Sequence, residues 1–431
     1  MRPLCVLSID GGGIRGIIPL LILREIMRHL QDVSGKELKP CEVFHLIGGT
    51  SAGGLIALML GRMRMTVDEC IIQFRKLSEQ IFREPTRTSF FTRSHWYSSE
   101  TLENALKEVI KDQTTDSETP MQDDDPKSCP TFVVAVQNHD VNHPTPILFR
   151  TYQSPLLDRT PSPRRAKIWQ AARATAAAPK YFPPFRLGEV EYIDGGLGHN
   201  NPAPSIQREA RSLTTSNHPI GCMISLGTGV PGTVTFKVAG PLLLTLGRIL
   251  NLNDSLTAMI TDAEKTHENT KTNAAAAEFN YFRFNPVLPS PGNFPLDAWE
   301  KIGTLQDKVS GVDGYTSRVD EELLYCAEIV NEFRRRDDEN FSSSGPVVGD
   351  VDFIAHSDYI NPRMVAHWGG DRGPHNIARH HMDIPAILHA AISYNSTPLE
   401  RAEISTGGMM LRFVTPSRGS EEQVGPSATK E

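Results

Sequence analysis

The chain has 431 residues, 39% of them hydrophobic and 22% charged, which suits a globular protein with enough length to bury a large core. A formal net charge of −7 argues against nucleic acid as a partner and against a broad electrostatic grip on anionic lipid. Six cysteines (Cys5, Cys41, Cys70, Cys129, Cys222, Cys326) are scattered without C-x-x-C spacing, so reduced buried thiols are expected, with no disulfide framework and no zinc site.

The first residues enter an apolar run, Leu4–Ile9, without the h-region of a signal peptide. No stretch approaches about 20 uninterrupted apolar residues, so a cytoplasmic protein is expected, with peripheral membrane contact left open. Leu4–Ile9 reads as a central strand running into a glycine-rich turn, and Ile17–Leu30 as a buried helix with Pro19 in its first turn. Val43–Ile47 is the next predicted strand, Ala52–Met63 an apolar helix, and Val67–Ile81 an amphipathic one. Residues 112–130 form an acidic insert expected as a solvent loop. Thr131–Val136, Ile147–Tyr152, Ile220–Leu226 and Phe279–Phe284 are further strands. Lys167–Ala178 is helical and stops at Pro179, and Val319–Arg334 is a covering helix. Strands alternating with helices predict an α/β fold with a mainly parallel sheet.

Gly240–Leu250 is the most apolar stretch outside the predicted sheet, expected as a core-packing connection or, alternatively, a lid that touches lipid. From about Asn340 the text becomes linker-like. A domain over 1–340 is therefore expected, followed by an extension over 341–431, partly disordered and without an assigned role. No repeat of 20–50 residues is apparent.

Three segments carry chemistry. In Asp10-Gly11-Gly12-Gly13-Ile14-Arg15-Gly16, glycines between a strand and a helix let backbone N–H groups face open space beside a helix N-terminus. Such a turn binds a phosphate or the oxyanion of a tetrahedral intermediate. It also satisfies G-x-G-x-x-G, but the acid at a dinucleotide site's offset, Asp32, falls at the end of a helix and not of a strand. Next, Gly49-Thr50-Ser51-Ala52-Gly53 places a serine at a strand-to-helix turn, as nucleophile or as helix N-cap. Finally, Asp194-Gly195-Gly196 ends a short strand, as a base or as an Asx-turn aspartate.

The histidine of a Ser-His-Asp triad is matched only loosely, by His199, His218, His267, His375, His380 or His381. His375–His381 fits no zinc template. Asp123-Asp124-Asp125 does not open an EF-hand loop, because Ser128 and Val134 stand where glycine and glutamate are required. No metal or cofactor is expected.

"DGGGIRG", "GTSAGG", "QAARATAAAPKYFPP" and "DGGLGHNNP" follow one another over most of residues 4–205. Together they resemble the signatures of the patatin-like phospholipase family, its fungal members particularly, and "CMISLGTG" at 222–229 is similar too. The resemblance implies a three-layer α/β/α fold and a Ser–Asp dyad, with Ser51 as nucleophile, set between Gly49 and Gly53, and Asp194 as base, followed by Gly195 and Gly196. It implies an oxyanion loop over Gly11, Gly12, Gly13, Arg15 and Gly16, chiefly the N–H groups of Gly12 and Gly13. Hydrolysis of glycerophospholipid or related acyl esters is expected from it. A lipid-responsive effector module without strong catalysis is the alternative.

Overall fold

The structure is a computed structural model. It describes residues 3–85, 95–138, 145–154, 163, 165–214, 220–231, 252–288, 294–312, 314–338, 401–406 and 409–414. The segments 240–250 and 375–381, and His218, lie outside the described residues. The chain divides into two compact units, 1–340 and 341–431. Within the second, Arg401–Thr406 pairs antiparallel with Met409–Val414.

The first unit is built on an eight-stranded sheet. Its strands are β1 (Leu4–Ile9), β2 (Leu46–Thr50), β3 (Thr131–Gln137), β4 (Pro146–Arg150), β5 (Phe185–Leu187), β6 (Val190–Asp194), β7 (Ile220–Leu226) and, after the short β8 (Val230–Pro231), β9 (Asn280–Phe284). The order is β5-β6-β3-β2-β1-β7-β9, with β4 also on β3. Pairs from β3 through β9 are parallel, whereas β4, β6 and β5 join antiparallel.

The central strands are apolar on both faces because helices cover both. In β1, Cys5, Leu7 and Ile9 enter one core and Val6 the other; in β3, Val133 and Ala135 oppose Phe132 and Val134. The larger core is covered by α1 (Ile17–Ser34), then, past the short α2 (Pro40–Val43), by α3 (Ala52–Ala57), α4 (Val67–Phe82), α5 (Ser99–Thr114) and α6 (Ile168–Thr175). The smaller core is closed, past the short α7 (Gly196–His199), by α8 (Ala203–Leu213) through Ala203, Ile206 and Ala210. The layers are therefore α/β/α. Glu209 of α8, fully buried, takes a bidentate pair from Arg150 of β4 (2.6 and 2.9 Å) and a hydrogen bond from Tyr152 (2.7 Å), which docks α8 on the sheet.

Helix ends follow local chemistry. The α4 start is a capping box, Thr66 Oγ1 accepting from Glu69 N (3.2 Å) while Glu69 accepts from Thr66 N (2.8 Å). Gly35 ends α1 in the left-handed region at φ 68°.

Several boundaries depart from expectation. The predicted strand Val43–Ile47 begins only at Leu46, because Pro40 opens a helical turn that closes with Phe44 N donating to Pro40 O (2.9 Å). The strand then runs through Gly48 and Gly49. The predicted helix Ala52–Met63 changes to a π turn at Leu58–Arg62. The insert at 112–130 is less solvated than expected: α5 occupies its start, Met121 is buried, and Arg62 donates to the carbonyls of Pro120, Met121 and Gln122. α6 stops at Thr175, three residues before the expected end.

Candidate active site

The register of β3 assembles the site. Thr50, the last residue of β2, pairs with Val134, and the next position of β3, Ala135, pairs with Asp194 of β6. The opposite edge of β3 is occupied by β4, where Ala135 meets Ile147. β2 and β6 therefore lie on the same edge and run toward each other, β2 parallel and β6 antiparallel to β3. Their C-terminal ends meet head-on, and the residues there are Ser51 and Asp194. Ser51 Oγ donates to Asp194 Oδ2 at 2.6 Å.

Ser51 sits at φ 55° and ψ −127°, a conformation costly for a residue with a Cβ. The turn around it is too tight for side chains: a Cβ on Gly49 would lie 2.0 Å from Gly53 O, and one on Gly53 2.4 Å from Ile9 O. Ser51 N donates to Thr175 Oγ1 (2.9 Å), whose hydroxyl donates to Val134 O (2.6 Å). Thr175 thus ties the elbow to β3. The serine hydroxyl does not cap α3, which removes the N-cap alternative.

Asp194 is 2% exposed. Its Oδ1 accepts from Gly196 N at 2.7 Å, so Gly196 turns back onto the carboxylate while Gly195 packs against Val134 O. Burial pushes the Asp194 carboxyl up to about 7, against the opposing pull of the hydrogen bonds from Ser51 and Gly196. Among the described residues no histidine hydrogen-bonds Ser51 or Asp194. His267 instead meets the Tyr281 hydroxyl (3.0 Å), and His199 contributes its backbone, accepting from Thr50 Oγ1 (2.8 Å) and donating to Gly195 O (3.0 Å). No group of His, Cys, Asp or Glu among the described residues is arranged to hold a metal ion. Asp32 stays on α1, paired with Arg28 at 3.2 Å, away from any strand end, so the dinucleotide alternative finds no acid.

The glycine loop divides its expected roles. Gly11 is clamped at both ends: its N–H donates to Asn200 O (3.2 Å), and its carbonyl accepts from Thr228 Oγ1 (2.8 Å) and Asn200 Nδ2 (3.3 Å). Contrary to expectation, it anchors the loop and has no N–H to offer. Gly12 and Gly13 N–H have no partner among the described residues, and Gly13, at φ 55°, lines the same cleft as Ser51. Gly16, also expected in the donor set, meets the Phe74 ring of α4, and a Cβ there would lie 2.7 Å from it. Arg15 is buried beneath the loop; its N–H donates to Gly12 O (3.1 Å), and burial pushes its guanidinium down to about 10.

Asp10, just before the loop, is held by Arg283 of β9 (2.7 Å), which also pairs with Glu264 (2.9 Å) on α9 (Leu252–Ala276). Sequence reasoning did not single out Thr175, Thr228, Asn200 or Arg283. The available signal was a lone threonine among alanines in "ARATAAA", with no spacing rule to interpret it.

A cleft of about 140 Å³ opens beside Ser51 and Asp194. Ser51, Asp194 and Gly13 stand at one side, and the walls are apolar side chains such as Leu55, Phe74, Leu77, Ile81 and Phe182. The fold and this geometry define an elbow serine bonded directly to a buried carboxylate, with two unengaged backbone donors on a neighbouring glycine turn and an apolar cleft alongside. A family model described as patatin-like phospholipase matches residues 7–206. Human calcium-independent phospholipase A2-gamma is 33% identical over 348 residues, covering 77% of this chain and 40% of its own length. Phospholipase A I of Arabidopsis thaliana is 28% identical, covering 65% of this chain and 24% of its own. The cGAMP-activated phospholipase of Vibrio cholerae is 30% identical over 212 residues, covering 46% and 55%. Through the domain at 7–206 the chain belongs to the patatin-like phospholipase family. It spans well under two thirds of the length of these relatives.

Proposed function

We propose that this chain is a serine lipid acyl hydrolase of the phospholipase A or lysophospholipase type, with glycerophospholipid or related acyl esters as substrate. The observation that carries it is the 2.6 Å hydrogen bond from Ser51 Oγ to a buried Asp194, beside an apolar cleft. An ordinary aspartate, near pKa ~3.9, is a poor base for a hydroxyl; one raised to about 7 is matched to neutral pH.

In the first half-reaction Ser51 Oγ attacks the ester carbonyl carbon and its proton passes to Asp194 Oδ2. The carbonyl oxygen becomes an oxyanion that Gly12 and Gly13 N–H receive. Collapse breaks the ester C–O bond, and the leaving alkoxide takes the proton from Asp194, leaving an acyl ester on Ser51. Water then attacks that ester and gives a proton to Asp194; collapse frees the fatty acid and returns the proton to Ser51.

The apolar wall suits the acyl chain. The substrate resides in lipid, and transient contact of a cytoplasmic protein with a membrane surface is part of the reading. No helix of the described residues is long and apolar enough to cross a membrane. Calcium is not required on this reading, and chelation with EDTA leaves hydrolysis unchanged.

A fluorophosphonate probe tests the nucleophile: wild type is labelled at Ser51 and Ser51→Ala is not. Mass spectrometry of a lipid extract then shows free fatty acid and lysolipid with wild type alone. His199→Ala keeps most activity. A folded wild type that neither labels nor releases fatty acid would remove the enzyme reading, and a dead but folded His199→Ala would remove the dyad.

A further inference from the structure

Glycines have no side chains with which to fix a loop, yet an oxyanion donor helps only if its N–H is held in place before charge develops. Two residues from the second half of the chain press on the loop. Thr228 backs Gly12, where a Cβ would lie 2.5 Å from the threonine Cβ. Leu296 bears on Gly13, where a Cβ would lie 2.2 Å from the leucine carbonyl oxygen and 2.7 Å from its Cβ. That same carbonyl accepts from Ile14 N (2.8 Å), and Leu296 also lines the cleft that holds Ser51.

Leu296 belongs to a short strap, residues 294–301. Its turns close on themselves: Ala298 N donates to Pro295 O (3.3 Å), Trp299 N to Asp297 O (2.8 Å) and Lys301 N to Ala298 O (3.0 Å). The strap then enters α10 (Ile302–Ser310), whose Ile302, Leu305 and Val309 are buried in the larger core. Next to Leu296, the Asp297 carboxylate accepts from the Tyr97 hydroxyl at 2.7 Å. Tyr97 is built into the cleft wall. Its N–H donates to Tyr181 O (2.9 Å), and its ring lies parallel to that of Tyr181 (centroids 6.3 Å apart) and edge-on to Phe82 (5.0 Å). Tyr181 and Phe82 both line the cleft. Burial first, and then the bond to Asp297, push the Tyr97 hydroxyl well above the usual tyrosine range, so it remains a donor at any working pH.

We propose that Tyr97 and Asp297 are positioning residues for the oxyanion donors. Their hydrogen bond ties the strap to the cleft wall, and the strap, through Leu296, holds Gly13 N–H where the oxyanion forms. The inference rests on the acyl-hydrolase reading and extends its machinery past residues 7–206, where the family model ends. Neither side chain reaches the reacting atoms. Without the tie the strap is free to shift, and Gly13 N–H loses its aim. The ester carbonyl gains its charge only as Ser51 attacks, so the loss falls on the transition state and spares binding of the ground state.

Tyr97→Phe tests this, since it keeps the ring contacts and removes only the donor. Its kcat is expected to fall about ten-fold, short of the ~10²–10³ that follows loss of a whole oxyanion donor, with KM changed less than about two-fold. Asp297→Ala should match it, and Asp297→Asn, whose amide oxygen still accepts, should recover most of the rate. The double variant Tyr97→Phe/Asp297→Ala should fall no further than either single one, because all three lose the same bond. A purely structural role would not discriminate between two inhibitors. An alkyl trifluoromethyl ketone takes Ser51 Oγ on its carbonyl carbon, the serine proton passing to Asp194, and its oxygen becomes an oxyanion. It should bind Tyr97→Phe about ten-fold more weakly than wild type, while the matching trifluoromethyl carbinol, which has no carbonyl, binds both equally. Should Asp297→Ala fail to fold, Tyr97→Phe with the two inhibitors carries the test. A folded Tyr97→Phe with unaltered kcat and ketone affinity, or one that loses ketone and carbinol alike, overturns the positioning role while hydrolysis by wild type stands. A wild type that releases no fatty acid and binds the ketone no better than the carbinol would instead sink the underlying reading, and this inference with it.

Discussion

Replacing Asp194 by asparagine is expected to make the protein more stable as it destroys activity, and the gain is expected to grow with pH. The carboxyl has a pKa of about 7 in the folded protein, against an ordinary 3.8, because burial disfavours its charged form. Between those values the folded state holds a proton that the unfolded chain has released, so folding weakens as pH rises. The stability of the neutral acid is fully present below pH 3.8 and is lost as pH passes through about 7. A pKa raised by roughly three, at ~1.4 kcal/mol for each, costs about 4 kcal/mol at pH 8.5, of which roughly 2 kcal/mol is already present at pH 5. Asparagine keeps the shape and the contacts: its carbonyl accepts from Gly196 N–H and its amide donates to Ser51 Oγ, without charge. The stability difference between variant and wild type should therefore widen by roughly 2–3 kcal/mol from pH 5 to pH 8.5. Urea unfolding of both proteins at the two pH values measures it, and the many other titrating groups cancel in the comparison. A difference that stays constant with pH, or moves against the variant at high pH, would refute the claim that burial is what makes Asp194 basic.

On the proposed mechanism the same carboxyl sets the rate profile: kcat/KM should fall about ten-fold per pH unit below about 7 and level above it, with no second limb from a histidine. A bell centred near neutrality would count against a lone aspartate. Thr175→Val leaves Ser51 N–H without its acceptor, so a stability loss of about 1–3 kcal/mol and a kcat drop with little change in KM are expected; Thr175→Ser should restore most of both. Trp96, 39% exposed, packs its ring at a tilt against Tyr181 of the cleft wall (ring centroids 5.3 Å apart), and Leu197, 38% exposed, lines the cleft itself. If this rim meets lipid, Trp96→Ala should weaken sedimentation with phosphatidylcholine vesicles about ten-fold and leave hydrolysis of a soluble short-chain ester much less affected. Equal loss on both substrates would assign Trp96 to folding.

Local chemistry was enough to announce much of this protein. Apolar runs such as Leu4–Ile9 and Ile220–Leu226 can only be satisfied between two layers of helices, so the α/β class and the strands themselves were legible. The glycines around Ser51 and after Asp194 announced backbone turns that few other residues tolerate, which made both side chains candidates, while their pairing as a dyad was implied only by the family resemblance. Their pairing was not written locally. It arises because β2 and β6 share one edge of β3 and meet at Ala135, a register set by partners far apart along the chain. Glycine also misled: in Leu46–Thr50 two glycines read as the end of a strand, yet they belong to it, and a Cβ would meet the Phe132 ring at Gly48 and the Gly53 backbone at Gly49.

Gly11 looked like a donor and proved an anchor, since Asn200 and Thr228, distant in sequence, hold both its polar groups. The helix Ser99–Thr114 was passed over although Leu102 on its buried face lines the cleft. Most of all, the basicity of Asp194 belongs to the tertiary structure. An aspartate in sequence is an acid near pKa ~3.9, and only packing that excludes water from its carboxylate turns it into a base for neutral pH.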